Sequence, residues 1–367
     1  MKEYLIDRKF FQKDKNEKNC YRKDKGYEKI PSSEKDLNIL VKDTGIIRNV
    51  RIEGKHVIPG GLYDAKFSEL KTELSVATLK IIALAKGRHF RDEIERSENP
   101  DYVYKNIKNL IDGFDIDLSE KKILDFGCGA GAFGLNLRRL GGNEIIGVDV
   151  DERLLEIAQS RISDFYDNGS IFKKIEFVNE KHGLPFSSES FDIVWPHAVI
   201  EHVLPGDRQH VLRELWRVLK KNGLLIIDAT PNRLWPKEHH TTGLFFLNYL
   251  PLNVSCYLAR KFSIRVPESQ SVQNLLSRGI RGCTYWEISK RLQGSVCLNY
   301  ISRKKDLDVF MQGWVNKTDS ATKKYIKKLY KLIMSSIDPI LRIMKVPQTA
   351  FLPSHIMVFE KKGKINP

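Results

Sequence analysis

Short apolar runs, NILV, GIIRNVRI and HVI, occupy residues 38–58 and end at Pro59-Gly60-Gly61. They read as strands closed by a turn. Phe67, Leu70, Leu74, Ala77, Ile81 and Leu84 then recur at spacings of three and four. That period predicts one helix with a single packing stripe. A second helical piece is expected near residues 102–111, before Gly113. From Lys122 the period alternates between two and 3.6. KILDF is a strand, and Phe133, Leu137 and Leu140 mark a helix. EIIGVDV is a strand, and Leu154, Leu155, Ala158 and Ile162 mark the next helix. IEFV and FDIVW are the third and fourth strands, and a helix through Leu212, Leu215, Trp216 and Leu219 leads to LLIIDA, the fifth. Such alternation predicts an α/β fold, a parallel sheet with helices on both faces. After Thr230-Pro231 it stops, and strand character returns near Val296–Ile301 and at HIMVFE, with a basic helical segment over about 319–345 between them.

Composition changes this picture little. Hydrophobic residues make up 41% and charged residues 29% of the 367, which excludes disordered and collagenous classes. No run reaches the roughly 20 apolar residues of a membrane span, and the N-terminus has no secretory h-region. A cytoplasmic location is expected. The five cysteines form no C-x-x-C pair, which argues against a disulfide framework or a structural zinc site. The net charge of +15 is more informative, because residues 256–367 hold 21 Lys/Arg against 7 Asp/Glu. A basic excess there suits an anionic membrane surface or nucleic acid, or a solvated face.

The chemistry begins where KILDF runs into Gly127, Gly129 and Gly131 and then a helix. Glycines let the backbone turn tightly and approach a ligand, and the following helix start offers N–H groups and a positive dipole end. Asp149 ends the next strand, where a carboxylate can accept both ribose hydroxyls. These residues describe an adenosine-ligand site. The same letters also fit G-x-G-x-x-A through Ala132, so a dinucleotide-binding fold competes.

ILDFGCGAGAFG, IIGVDVDERLLEIAQ, LPFSSESFDIVW, VIEHV and NGLLIID occur in that order over about residues 118–231. Together they resemble the class I S-adenosylmethionine-dependent methyltransferases, in particular the ubiquinone/menaquinone-type (type 11) superfamily. The resemblance implies a Rossmann-like, doubly wound, seven-stranded and mostly parallel sheet whose antiparallel strand is HIMVFE. It implies S-adenosyl-L-methionine as cofactor. Gly127, Gly129 and Gly131 would wrap its methionine part, and Asp125 would anchor that loop or the amino group. Asp149 would hold the ribose, Val150 would flank the adenine, and Glu180, with Asn179 as alternative, would accept the adenine amino group. Asp192 would brace its strand. His197, at the end of the fourth strand, could be a general base or line the pocket. Related quinone O-methyltransferases carry an acid–acid–His metal site just beyond. Here Ala198 stands at the first acid, so no metal is expected, with Glu201 and His202 left over.

TPNRLWPKEHHTTGLFFLNYLP and RGCTYWEI resemble signatures of a subgroup common among cell-surface glycan and lipid enzymes. His239 or His240 could bind the acceptor or act as base, or simply tie the loop to the core. In the basic helix, lysines face one way and Tyr325, Leu329, Leu332 and Ile333 largely the other, which suits either an anionic membrane or packing, and Pro339 is expected to kink or divide it. The expected organisation is an N-terminal arm over 1–60, a helical cap over 61–115 and a methyltransferase domain over 116–367, with lid segments at about 232–290 and 302–350. The expected reaction is O-methylation of a small-molecule, glycan or lipid-linked acceptor, and the expected location is cytoplasmic, either free or peripheral at the inner membrane face. RNA or protein methylation, and a non-catalytic cofactor-binding protein on membranes, are the alternatives.

Overall fold

The computed structural model describes residues 26–58, 64–166, 170–175, 182–292, 295–297 and 321–362. Two compact units divide the chain, residues 1–108 with 128–174, and 109–127 with 175–367. Eleven strands among the described residues form two sheets. One is four-stranded in the order β1-β2-β3-β4, and one is seven-stranded in the order β10-β11-β9-β8-β5-β6-β7.

In the first unit, β1 (Glu28–Ile30), β2 (Asn38–Asp43), β3 (Arg48–Val57) and β4 (Asp64–Thr72) form an antiparallel meander. Ile39, Val41, Val50 and Ile52 point inward by the two-residue alternation of strands and are at most 3% exposed. Here the helical reading of residues 67–84 is corrected. Phe67 and Leu70 sit in β4, and Phe67 is 44% exposed. The strand's buried positions are Ser68 and Thr72, polar residues that gave no apolar alternation to read. Ser68 earns its burial by a 2.6 Å hydrogen bond to Nε2 of buried His56. The helix starts only at α1 (Val76–Lys86), where the Ser75 side chain accepts from the Thr78 N–H. Its core face is Leu79, Ile82 and Ala83, one position out of phase with the expected stripe, and Leu84 is exposed.

α2 (Phe90–Glu98) and α3 (Lys105–Phe114) follow. Phe90 and Ile94 of α2 join the core of the β1–β4 sheet, as do Ala130 and Ile157. Burying a side chain such as Phe90 or Leu79 contributes about 1.5–3 kcal/mol. The unit also holds α4 (Ala132–Arg139), β6 (Glu144–Asp149), α5 (Glu152–Ser163) and β7 (Ser170–Lys174). β6 and β7 are parallel. The third strand of the alternation is therefore β7, upstream of IEFV, of which only Ile175 lies among the described residues. α5 is tied inward by fully buried Arg161, 2.9 Å from the Glu93 carboxylate.

In the second unit, β5 (Lys122–Phe126), β8 (Phe191–Trp195) and β9 (Leu219–Pro231) run parallel, with a register shift between β8 and β9 at residues 191–193. β11 (Ser354–Lys361) pairs antiparallel to β9, and β10 (Ser295–Cys297) pairs antiparallel to β11, so HIMVFE is the reversed strand that the resemblance implied. Their apolar runs are buried on both faces, with Ile193, Val194, Leu225, Ile226, Ile227, Met357 and Val358 at most 2% exposed. α6 (Arg208–Val218) packs Leu212 and Leu215 inward. Asp192 accepts from the Lys122 N–H and from Lys220 Nζ, which braces β8 at its start.

Beyond β9 lie α7 (Leu252–Phe262), α8 (Val272–Ser277), α9 (Tyr285–Ser289) and α10 (Ala321–Ile343). α10 runs on through Pro339 without dividing. No helix among the described residues is long and apolar enough to cross a membrane.

Candidate active site

In the first unit, the turn after β5 is shaped by its glycines. Gly129 and Gly131 have φ of +52° and +77°, a region that strains residues with a Cβ. The two glycines differ in what surrounds them. A Cβ on Gly131 would lie 2.7 Å from Ala158 Cβ, so this glycine lets α4 pack against α5. A Cβ on Gly129 would meet nothing within 4 Å, so the chain is bare there over open space. Asp149 locks the turn. Its Oδ2 accepts from the Gly129 N–H at 2.9 Å and its Oδ1 from the Asp151 N–H at 3.0 Å. Each oxygen keeps a further lone pair, the arrangement that two ribose hydroxyls can use. Val150 beside it is 48% exposed, an apolar surface next to the acid. The residues fit the adenosine cofactor: an open cradle of bare backbone, a helix N-terminus, a fixed acceptor and an apolar flank.

In the second unit, Asp125 is buried at the end of β5, and Glu180 and Asn179 lie outside the described residues. A Cβ on Gly127 (φ +73°) would strike Val199 at 2.6 Å. β5 and β8 are paired in parallel, so the turn and the segment after β8 leave the same end of the sheet, where open α/β sheets bind ligands. His197 stands there, partly buried. Its Nδ1 lies 2.9 and 3.0 Å from the two oxygens of Asp228 in β9. Trp195 Nε1 donates to the same carboxylate at 2.8 Å. A carboxylate can only accept, so Nδ1 carries the hydrogen, and in the neutral imidazole Nε2 is the basic nitrogen. Asp228 was not singled out from the sequence, although NGLLIID places an acid at the end of the strand beside FDIVW.

The segment continues through Ala198, which has φ +53°, to Glu201 and His202. Glu201 is fully buried and Thr230 Oγ1 donates to its Oε2 at 2.8 Å. Burial raises its carboxyl above the usual range. His240 Nε2 lies 3.8 Å from Glu201 Oε1, and burial, then the charges of His202 and His239, push His240 down to about 4. His239 is separate: its Nε2 is 3.3 Å from Ser354 Oγ, and burial lowers its pKa too. The loop around the two is built on Glu238, whose carboxylate accepts from the N–H groups of His240, Thr241 and Thr242. RGCTYWEI has a structural task. Cys283 N–H donates to Pro231 O at 3.1 Å, and Thr284 and Glu287 form a capping box on α9.

Residues 124–227 match a family model described as a methyltransferase domain. The chain is 31% identical over 160 residues to a demethylmenaquinone methyltransferase of Lactococcus lactis, covering 43% of this chain and 59% of that protein. It is 33% identical over 137 residues to a demethylmenaquinone methyltransferase of Thermotoga maritima, covering 37% and 53%. It is 29% identical over 160 residues to a ubiquinone biosynthesis O-methyltransferase of Pelagibacter ubique, covering 42% and 63%. The chain thus spans between about half and two thirds of the length of these relatives. With the mixed seven-stranded sheet, these matches define a class I methyltransferase domain of the Rossmann-like fold. More particularly, the match takes in the glycine-rich turn and Asp149, so that turn is part of the methyltransferase-like stretch, as the resemblance implied, and not of a dinucleotide-binding match.

Proposed function

We propose that the protein methylates a hydroxyl of a small-molecule, glycan or lipid-linked acceptor. The observation that carries this reading is the His197–Asp228 pair at the carboxyl end of β8. A hydroxyl is a poor nucleophile until its proton leaves, and His197 Nε2 is poised to take it. Asp228 is a positioning residue. It fixes the tautomer and steadies the imidazolium that forms. When bound, S-adenosylmethionine supplies a sulfonium methyl group as electrophile and leaves as S-adenosylhomocysteine. Gly127, Gly129 and Gly131, Asp125, Asp149 and Val150 would hold it, with Glu180 toward the adenine. Neither His239 nor His240 has an acceptor-only carboxylate on Nδ1, so His197 is the base in this reading.

The acceptor is reached at an anionic lipid surface. Phe245, Phe246, Tyr257 and Phe262 are 56–62% exposed, and Lys237 and Lys261 lie 5.5–5.7 Å above three of these rings. α10 buries Met334 and Leu341, while its apolar residues Tyr325, Leu332 and Ile333 are at least 50% exposed. Aromatic and basic groups side by side suit a headgroup boundary.

Calorimetry of S-adenosylhomocysteine with wild type and Asp149→Ala, and NADH as control, tests the cofactor. Micromolar binding lost in the variant is expected, and binding of NADH instead would overturn the reading. Sedimentation with vesicles of anionic or neutral lipid tests the surface, where anionic-selective binding is expected. Acceptor screening then tests the reaction. Methylation confined to RNA or to protein amines would defeat the hydroxyl assignment.

A further inference from the structure

We infer that Glu201, His202 and His240 form a binding site for a divalent transition-metal ion of borderline softness, zinc being the type case. The expectation of no metal rested on Ala198 replacing an acid. The structure brings in a different group, His240 from the loop after β9. One ligand atom from each of the three residues lies within 4.8 Å of the others.

The hydrogen bonds around the cluster leave it no donor. His202 Nδ1 is 2.8 Å from the Ser277 carbonyl, and His240 Nδ1 is 3.1 Å from the Arg278 carbonyl. A carbonyl only accepts, so both Nδ1 atoms carry hydrogens and both Nε2 atoms present lone pairs. Glu201 is 0% exposed, and its Oε1 has no hydrogen-bond partner. His240 Nε2 lies 3.8 Å from it. Three lone pairs therefore converge, one of them on a fully buried carboxylate oxygen. A cation satisfies all three at once. Imidazoles whose other nitrogen donates to a backbone carbonyl are the usual supporting arrangement of metal-ligating histidines.

The backbone behind the cluster is shaped to match. Gly279, with φ +85°, follows both carbonyls, and a Cβ there would sit 3.0 Å from His240 Nδ1 and 3.1 Å from Glu201 Cγ. Tetrahedral ligands at zinc distances are about 3.4 Å apart, so the 3.8 Å pair closes with a small movement. Two nitrogens and one carboxylate oxygen suit zinc, cobalt or nickel better than magnesium, calcium or manganese, which favour oxygen ligands. Three protein ligands leave a fourth position open, to be filled by water or an acceptor oxygen.

The inference stands on this cluster alone and does not depend on methyl transfer. Chelator-stripped, tag-free protein would be titrated with zinc by calorimetry, and with cobalt by visible absorption. One equivalent is expected to bind, with the d–d bands of a four- or five-coordinate ion and a raised thermal midpoint. His240→Ala and Glu201→Gln should each weaken binding at least about tenfold, with unfolding in chelator as in wild type for His240→Ala. Should Glu201→Gln fail to fold, exposed His202→Ala serves in its place. Absence of saturable binding, or equal affinity in wild type and both histidine variants, would overturn the site. The second of these would mean adventitious metal elsewhere, and the first would mean that a proton occupies Glu201. Either failure leaves S-adenosylhomocysteine binding untouched.

Discussion

Alanine at Gly129 and alanine at Gly131 should do different damage. At Gly131 the added Cβ meets Ala158 Cβ at 2.7 Å and Ala158 Cα at 2.8 Å, on a backbone with φ +77°. The left-handed conformation costs a residue with a Cβ about 1–2 kcal/mol. Overpacking adds about 1–3 kcal/mol. Gly131→Ala should therefore lose about 2–5 kcal/mol of folding stability. Gly129 has φ +52° and nothing within 4 Å, so Gly129→Ala carries the conformational part alone, about 1–2 kcal/mol. Its methyl group, however, enters the space assigned to the cofactor. S-adenosylhomocysteine affinity should fall at least about tenfold, or about 1.4 kcal/mol. Urea unfolding and calorimetry on both variants separate the effects. Wild-type affinity in Gly129→Ala would refute the cradle, and equal stability of the two variants would refute the packing argument.

Three further outcomes follow from buried charge. Burial raises the Glu98 carboxyl to about 7, against the Thr72 hydroxyl that donates to it at 2.6 Å. The folded state thus holds this proton more tightly than the unfolded chain. Its stabilisation is complete below about pH 4.5 and is lost as pH rises through 7. Glu98→Gln should be more stable than wild type at pH 8 by up to about 3 kcal/mol, with the gap closing at pH 4; a gap independent of pH in urea melts would sink the assignment. Arg161→Met strands Glu93, which burial would raise but the Arg161 guanidinium holds below its usual range. The loss should be about 3–5 kcal/mol, largely recovered by adding Glu93→Leu, and a double variant no better than the single one would argue against the pair. Asp228→Asn should keep cofactor binding but slow turnover on an identified acceptor about 10- to 100-fold, more in kcat than in KM; an unchanged rate would remove the base from the mechanism.

What the sequence showed and hid can be traced to particular residues. The β5-turn-α4 unit was legible because its glycines serve backbone geometry that no other residue tolerates, and Asp149 because the parallel alternation fixes where β6 ends. β4 was hidden by its own burial, since Ser68 and Thr72 face inward while Phe67 faces out. A pattern read by hydrophobicity cannot find a strand whose inner face is polar and satisfied by His56. Asp228, and the partners of His240, were hard to find for another reason. Asp228 acts on His197, and His240 on Glu201 or His202, some 30 to 40 positions away, and only the strand order joins them. Glu180, chosen from the LPF spacing, lies outside the described residues.

The end of β9 connects these late discoveries. Asp228 holds Trp195 and His197, and Thr230 holds Glu201, so two residues of one strand position both groups on the segment after β8. Ala229 between them has φ +59°, and Ala198 between His197 and Glu201 has φ +53°. Two alanines in a left-handed conformation are costly by ordinary backbone energetics, and such strain persists only where surrounding contacts enforce it. Here those contacts are known: the Ala198 N–H donates to Asp228 O at 3.1 Å, and Cys283 N–H holds Pro231 O. Glycine at either alanine would relax the backbone but free the segment to move. The strained alanines thus lie where a histidine and a buried glutamate leave two adjacent strand ends, beside the base and the metal site proposed above.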